Sequence, residues 1–136
     1  YIAITLVTDT VNFSKMNISE SNDTDDDSPP PFVIRNIGNI LVNLTIHATN
    51  SLWNNTAAHL NTSYFMFKAD NRTEPGSFNF AASNTTWLNM TDYNVTFIID
   101  LNYNSTNDEA EIDLNLTVPV DEPPGNKSSQ IVIWVE

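Results

Sequence analysis

Three runs of this chain alternate apolar and polar residues with a period of two, and that pattern dictates the kind of core it can build. Between Asn39 and Thr49, the residues Ile40, Val42, Leu44, Ile46 and Ala48 alternate with Leu41, Asn43, Thr45, His47 and Thr49. Successive side chains of a β-strand point to opposite faces, so this run presents one apolar row and one largely polar row. Val95, Phe97, Ile99, Leu101 and Tyr103 form a second apolar row, with Asn94 and Thr96 opposite. Ile112, Leu114, Leu116 and Val118 form a third, with Asn115 and Thr117 opposite. Strands apolar on one side bury that side by packing sheet on sheet. Helical spacing can be traced only through Leu52–Leu60, where Asn54, Asn55 and Thr56 predict a loop or at most one turn.

The polar rows carry a second regularity. Thirteen of the 20 Asn residues begin an Asn-x-Ser/Thr sequon: Asn12, Asn17, Asn22, Asn43, Asn54, Asn61, Asn71, Asn84, Asn89, Asn94, Asn104, Asn115 and Asn126. Composition alone predicts about four. Asn is depleted in strands, so mere decoration of polar faces does not account for the excess. Each sequon is an acceptor for a bulky, hydrated N-glycan that needs the surface. In all three runs the sequon lies opposite the apolar row, where a sugar leaves the core intact. We therefore expect covalent N-glycans and an exported, extracellular or cell-surface chain.

Further strands are expected over residues 1–8, 10–19, 32–36, 62–69, 76–82, 86–90 and 129–136, with turns at Ile37-Gly38-Asn39, Glu74-Pro75-Gly76 and Glu122-Pro123-Pro124-Gly125. About ten short strands predict an all-β fold, a jelly-roll or immunoglobulin-like β-sandwich with an N-terminal extension strand. Three parts are expected: a strand segment at 1–19, an acidic and Pro-rich linker at 20–31, and the sandwich domain at 32–136.

Composition narrows the function. The chain has no Cys, which removes thiol nucleophiles, zinc–cysteine sites and disulfides. A net charge of −12 with five Lys and Arg disfavours nucleic acid and anionic membranes as partners. No apolar run is long enough to span a bilayer, so direct membrane insertion is not expected. The strand-like start at Tyr1 suggests a mature chain whose leader has been removed. His47 falls on an outer strand face and His59 in a loop. No Ser lies in a nucleophile-elbow sequence, and alternation places Glu111 and Asp113 on a polar face. No enzymatic activity is expected.

Calcium is the one cofactor to weigh, because clustered Asp and Asn supply its hard oxygen ligands. Asp23, Asp25 and Asp27 in one loop, and Asp108 and Glu109 in another, are the candidates, with Asp121 and Glu122 as contributors. Neither loop has EF-hand spacing, and solvated charge is the bland reading. Trp53, Trp87, Trp134, Tyr64, Phe65, Phe67, Phe78 and Phe80 are either a sugar-stacking platform or core; alternation favours core.

The N-terminal segment offers two readings. Its strand pairs within its own sheet, or it leaves to complete the sheet of an identical subunit by donor-strand complementation. An apolar terminus followed by a spacer favours exchange, with Ile2, Ile4, Leu6, Val7, Val11 and Phe13 at the subunit interface. The run Pro31–Asn39 leading into Leu41–Thr49, together with Val118–Gln130 and the final strand Ile131–Val135, resembles archaeal surface β-sandwich proteins. These include jelly-roll subunits of extracellular fibres, akin to archaeal bundling pili and the TasA/camelysin matrix fibres of bacteria. The resemblance implies a subunit of a homopolymeric filament joined by an N-terminal donor strand. The alternative is a monomeric surface domain that binds a protein or carbohydrate.

Overall fold

A computed structural model of the chain describes residues 1–71 and 74–136. Among the described residues nine strands form two antiparallel sheets: β1 (Ile4–Thr8), β2 (Ser21–Asp23), β3 (Phe32–Asn36), β4 (Val42–Ala48), β5 (Phe65–Asp70), β6 (Leu88–Asn89), β7 (Val95–Leu101), β8 (Glu109–Thr117) and β9 (Ile131–Val135). The larger sheet runs β1-β3-β8-β5-β6, with β2 also on β8; the smaller runs β7-β4-β9. The fold is an all-β sandwich. Among the described residues only β5 and β6 are both consecutive in sequence and hydrogen-bonded, so the other connections from β3 onward arch from sheet to sheet.

The alternating rows build the core. Val42, Leu44, Ile46 and Ala48 face Ile112, Leu114, Leu116 and Val118 across the sandwich, all buried, with Phe67 and Phe97 edge-to-face at 5.9 Å between them. Ile40 precedes the strand and is exposed. The β7 row departs from strict alternation. Val42 pairs Leu101 and Leu44 pairs Ile98, so β7 carries an extra residue there. The resulting bulge turns Ile98 inward, leaves Ile99 half-buried and puts Tyr103 outside, while Phe97 and Leu101 are buried as the row requires. Asp100 takes a left-handed φ of 57° in it, and its N–H donates to Asn43 Oδ1 at 2.9 Å.

Two expected strands are absent among the described residues. Residues 10–19 send Val11, Phe13 and Met16 onto the core without joining a ladder. Ser14 and Ser19, with φ of 59° and 64°, break the extended path. Residues 77–84 instead run irregularly along the outer edge of β7. Asn79 N–H donates to Ile99 O, Asn84 N–H to Phe97 O and Asn102 N–H to Ser77 O. The segment 52–60 contains a single 3-10 turn, Thr56–Ala58, capped by Asn55.

Three residues of the stretch 20–31, expected as a linker, belong to the larger sheet. Ser21–Asp23 pairs Thr117–Asn115, and Phe32 pairs Ile112 along the same edge of β8. β2 and β3 are therefore one interrupted strand, and residues 24–31 are an excursion from it. The excursion starts by folding over β8: Thr24 is buried and its hydroxyl donates to Asp113 Oδ1 at 2.6 Å. Glu111 and Asp113 lie on the polar face, as alternation requires, but are buried there.

Candidate functional site

One side of the sandwich is closed and the other is open. On the closed side, residues 77–84 cover the edge of β7, and Asn84 bridges the sheets. Its carbonyl accepts from Ala69 N–H, its N–H donates to Phe97 O, and its Nδ2 donates to Thr96 O at 3.1 Å. On the open side, β1 ends the larger sheet and β9 ends the smaller one. Among the described residues no backbone hydrogen bond joins the outer edge of either strand to another segment. Ile4, Thr5, Leu6, Ile34 and Ile133 line a groove of about 340 Å³ between them. Neither strand holds a charged residue or a sequon. Leu6 and Val7 are 41% and 49% exposed, and Trp134 is 58% exposed.

Within the single chain, β1 pairs with its own β3, Thr5 opposite Arg35 and Ile4 opposite Asn36, with a register shift between Leu6 and Thr8. Ile37 N–H donates to Ala3 O and Asn39 N–H to Tyr1 O, both across Gly38. A Cβ on Gly38 would stand 2.5 Å from Tyr1 O and 3.0 Å from Ala3 N, so glycine is what lets the terminus lie this close. Of the expected interface residues, Ile2, Leu6 and Val7 are exposed, while Ile4, Val11 and Phe13 are half-buried on the chain's own core.

None of the thirteen sequon Asn residues is buried, and the buried Asn36 stands outside any sequon. Thr73, the acceptor partner of Asn71, lies outside the described residues. Asn43 and Asn54 engage their side-chain oxygens, accepting from Asp100 N–H and Lys127 Nζ. Asn61 and Asn84 commit Nδ2, the atom a glycan would take, to Asp92 Oδ1 and Thr96 O.

The two calcium loops behave differently. Asp108 and Glu109 both meet the Arg35 guanidinium, Asp108 at 3.7 Å, and the Glu109 N–H donates to Glu74 Oε2 at 2.9 Å. Glu122 accepts from the Asn54 and Asn55 amides at 2.9 to 3.1 Å and from Lys127 Nζ at 2.6 Å. Burial alone would raise its pKa, but these donors outweigh it and hold the carboxyl below the usual range. From the first loop only Asp25 joins a cluster, with Asp70 and Asp113, and Asp23 instead accepts the Asp25 N–H. The sequence reading missed Asp70 and Asp113; their spacing on paired strands was the available signal, since Lys68 opposes Asp113 and Asp70 opposes Glu111.

Trp53, Phe65, Phe67 and Phe78 are core, whereas Phe80 and Trp134 are outside. His47 Nδ1 lies 2.6 Å from Asn94 Oδ1 on the outer face of the smaller sheet, and His59 caps the 3-10 turn. No helix among the described residues is long and apolar enough to cross a membrane.

No family model and no curated protein matches this chain. Among solved structures it is similar to a family 123 glycoside hydrolase from Clostridium perfringens, studied for glycolipid glycan hydrolysis, at a TM-score of 0.45 and 11% identity. The superposition covers 88% of this chain and 19% of that one, so the chain spans about a fifth of the enzyme's length. So distant a likeness carries no argument about function.

Proposed function

We propose that this chain is a structural subunit of an extracellular, N-glycosylated filament, assembled when β1 of one copy is inserted beside β3 of the next. The observation that supports it best is the open side: two uncharged, sequon-free edge strands flank an apolar groove, while the opposite edge is covered by residues 77–84. An edge with unpaired N–H and C=O groups is a template for another strand, and exchange of an identical element is a low-cost route to assembly. Residues 9–20 join β1 to β2 without strand structure. Twelve residues reach roughly 40 Å when extended, enough to carry β1 to a neighbour. Head-to-tail exchange is heterologous and yields open filaments when the rotation does not close. Glycans on the exposed sequons would keep the sheet faces from associating. The role is mechanical, with identical subunits as partners and no catalytic step.

Because the chain lacks cysteine, exchange can be read by cross-linking. Thr5→Cys and Arg35→Cys, register partners across β1 and β3, are placed on separate chains. After the two are mixed and oxidised, a disulfide between different chains in the polymeric fraction supports exchange. A disulfide that forms only within the double variant, in a monodisperse monomer, refutes it.

A further inference from the structure

We propose that Asp25, Asp70 and Asp113 form a binding site for one hard divalent cation of the calcium type. This inference is independent of the assembly reading. One carboxylate oxygen from each residue lies within 4.8 Å of the other two. That is about twice a calcium–oxygen bond of roughly 2.4 Å, so one ion can reach all three. The donors come from three segments, the excursion after β2, the end of β5 and the middle of β8, and the register of β5 on β8 sets the latter two.

Asp113 carries the argument beyond a cluster of acids. It is fully buried, its Oδ1 accepts from the Thr24 hydroxyl, and its Oδ2 is buried with no hydrogen-bond donor. The Asp70 carboxyl stands beside it. A second carboxylate cannot donate to it, so the buried Asp113 Oδ2 is an acceptor that a cation would satisfy. The local ammonium does not fill the need at Oδ2. Lys68 Nζ is spent at 2.8 Å from Asp25 Oδ1 and 4.7 Å from the Trp87 ring centroid.

Ligand chemistry selects the ion. All three donors are carboxylate oxygens; the chain has no Cys, and His47 and His59 lie elsewhere, which disfavours zinc and copper. Asp25 is on an exposed loop, and calcium tolerates such irregular, partly hydrated geometry better than magnesium does. Thr24 holds and orients Asp113, a positioning role.

The test is calorimetric titration of CaCl2 into chelator-treated full chain, with thermal unfolding and Trp fluorescence in parallel. One equivalent should bind saturably, with Kd in the roughly 10⁻⁴ to 10⁻³ M range of extracellular sites. Tm should rise by about 8–12 °C at free calcium a hundredfold above Kd. Asp113→Asn, which keeps an acceptor for Thr24, should weaken binding at least tenfold. Asp25→Asn, on the exposed rim, provides the same readout without touching the interior. The proposal is overturned if wild type shows no saturable binding below about 10 mM, or if both variants bind as wild type does, which would mean diffuse surface charge only.

Discussion

Asp113→Asn also makes a prediction in the absence of metal, and its sign is fixed by proton linkage. In the folded chain Asp113 keeps its proton to about pH 7, whereas an unfolded Asp releases it near 3.8. Between those values the folded state binds more protons than the unfolded one, so stability falls as pH rises, with the penalty complete above pH 7. A gap of roughly three units corresponds to about 4 kcal/mol at most, and relaxation around the Asp70–Asp113 pair reduces it to about 2–4 kcal/mol. Asn cannot ionise, and its Nδ2 can donate to Asp70. The groups that face it, Asp70 and Lys68 from β5 and Asp25 and Thr24 from the excursion, are unchanged in the variant. Urea unfolding in chelator at pH 4, 6 and 8 reads the difference between wild type and variant, which cancels the titration of other groups. The two should be close at pH 4, and the variant should be the more stable at pH 8. Parallel pH profiles, or a variant that is the weaker at pH 8, would refute the account of a buried, proton-dependent carboxyl pair.

Gly38→Ala should loosen the terminus selectively, because its Cβ would meet Tyr1 O at 2.5 Å; we expect a cost of about 1–3 kcal/mol. Hydrogen exchange should show faster exchange at the Ile37 and Asn39 amides and unchanged protection in β4 and β8. Glu122→Gln should cost about 2–3 kcal/mol at pH 7 through lost charge-assisted bonds to Asn54, Asn55 and Lys127. Its folded pKa is depressed, so that contribution is present above the unfolded carboxyl pKa and lost as pH falls through the folded one, and the variant gap in denaturant midpoint should close in acid. Thr24→Val removes a donor to Asp113 and an acceptor for Leu114 N–H at 3.0 Å; an expected loss of about 2–3 kcal/mol should be largely restored by Thr24→Ser. Glycopeptide mass spectrometry should find Asn43 occupied and Asn84 the least occupied, since Asn84 spends Nδ2 in bridging the sheets.

What was legible in the sequence follows from what has a period. The inward rows of β4 and β8 repeat every two residues, and the structure buries them as that spacing requires. A bulge has no period, so the inward turn of Ile98 in place of Ile99 could not be read, although Asp100 and the Asn43 side chain that meets it lie in plain sight. Residues 10–19 alternate like a strand, yet left-handed Ser14 and Ser19 deny them a ladder, and their apolar side chains pack without one. The acidic cluster depends on strand pairing across some forty residues, Lys68 to Asp113, and on the excursion that brings in Asp25. Local composition marked only the excursion.

The two edges of the sandwich bear on the assembly reading in a way that neither sheet does alone. Soluble β proteins guard exposed edges with Lys, Pro, bulges or a covering loop. Here the β7 edge has its cover in residues 77–84, and the smaller sheet carries the sequons that begin at Asn43 and Asn94. β9, reading Ile131-Val-Ile-Trp-Val135, and β1, reading Ile4-Thr-Leu-Val-Thr8, have none of these guards beyond the single register shift in β1. Such segments have the high β-propensity and absent charge of aggregation-prone stretches. A chain that places sequons on β2, β4, β6 and β8 and none on its two open edge strands leaves one side without glycan acceptors. Under the proposed filament assembly, glycans on the faces would oppose random edge-to-edge pairing, and β1 of another copy would take the register that β1 holds on β3 and Gly38 within the single chain. Placing an Asn-x-Thr sequon in β9 through Ile133→Asn and Val135→Thr would disturb the core, because these residues face it. Val132→Asn with Trp134→Thr puts the sugar on the outer side of the same edge. If that variant, once glycosylated, assembles to the same extent as the unsubstituted chain, β9 is not part of the proposed contact, and β1 and β3 alone must carry it.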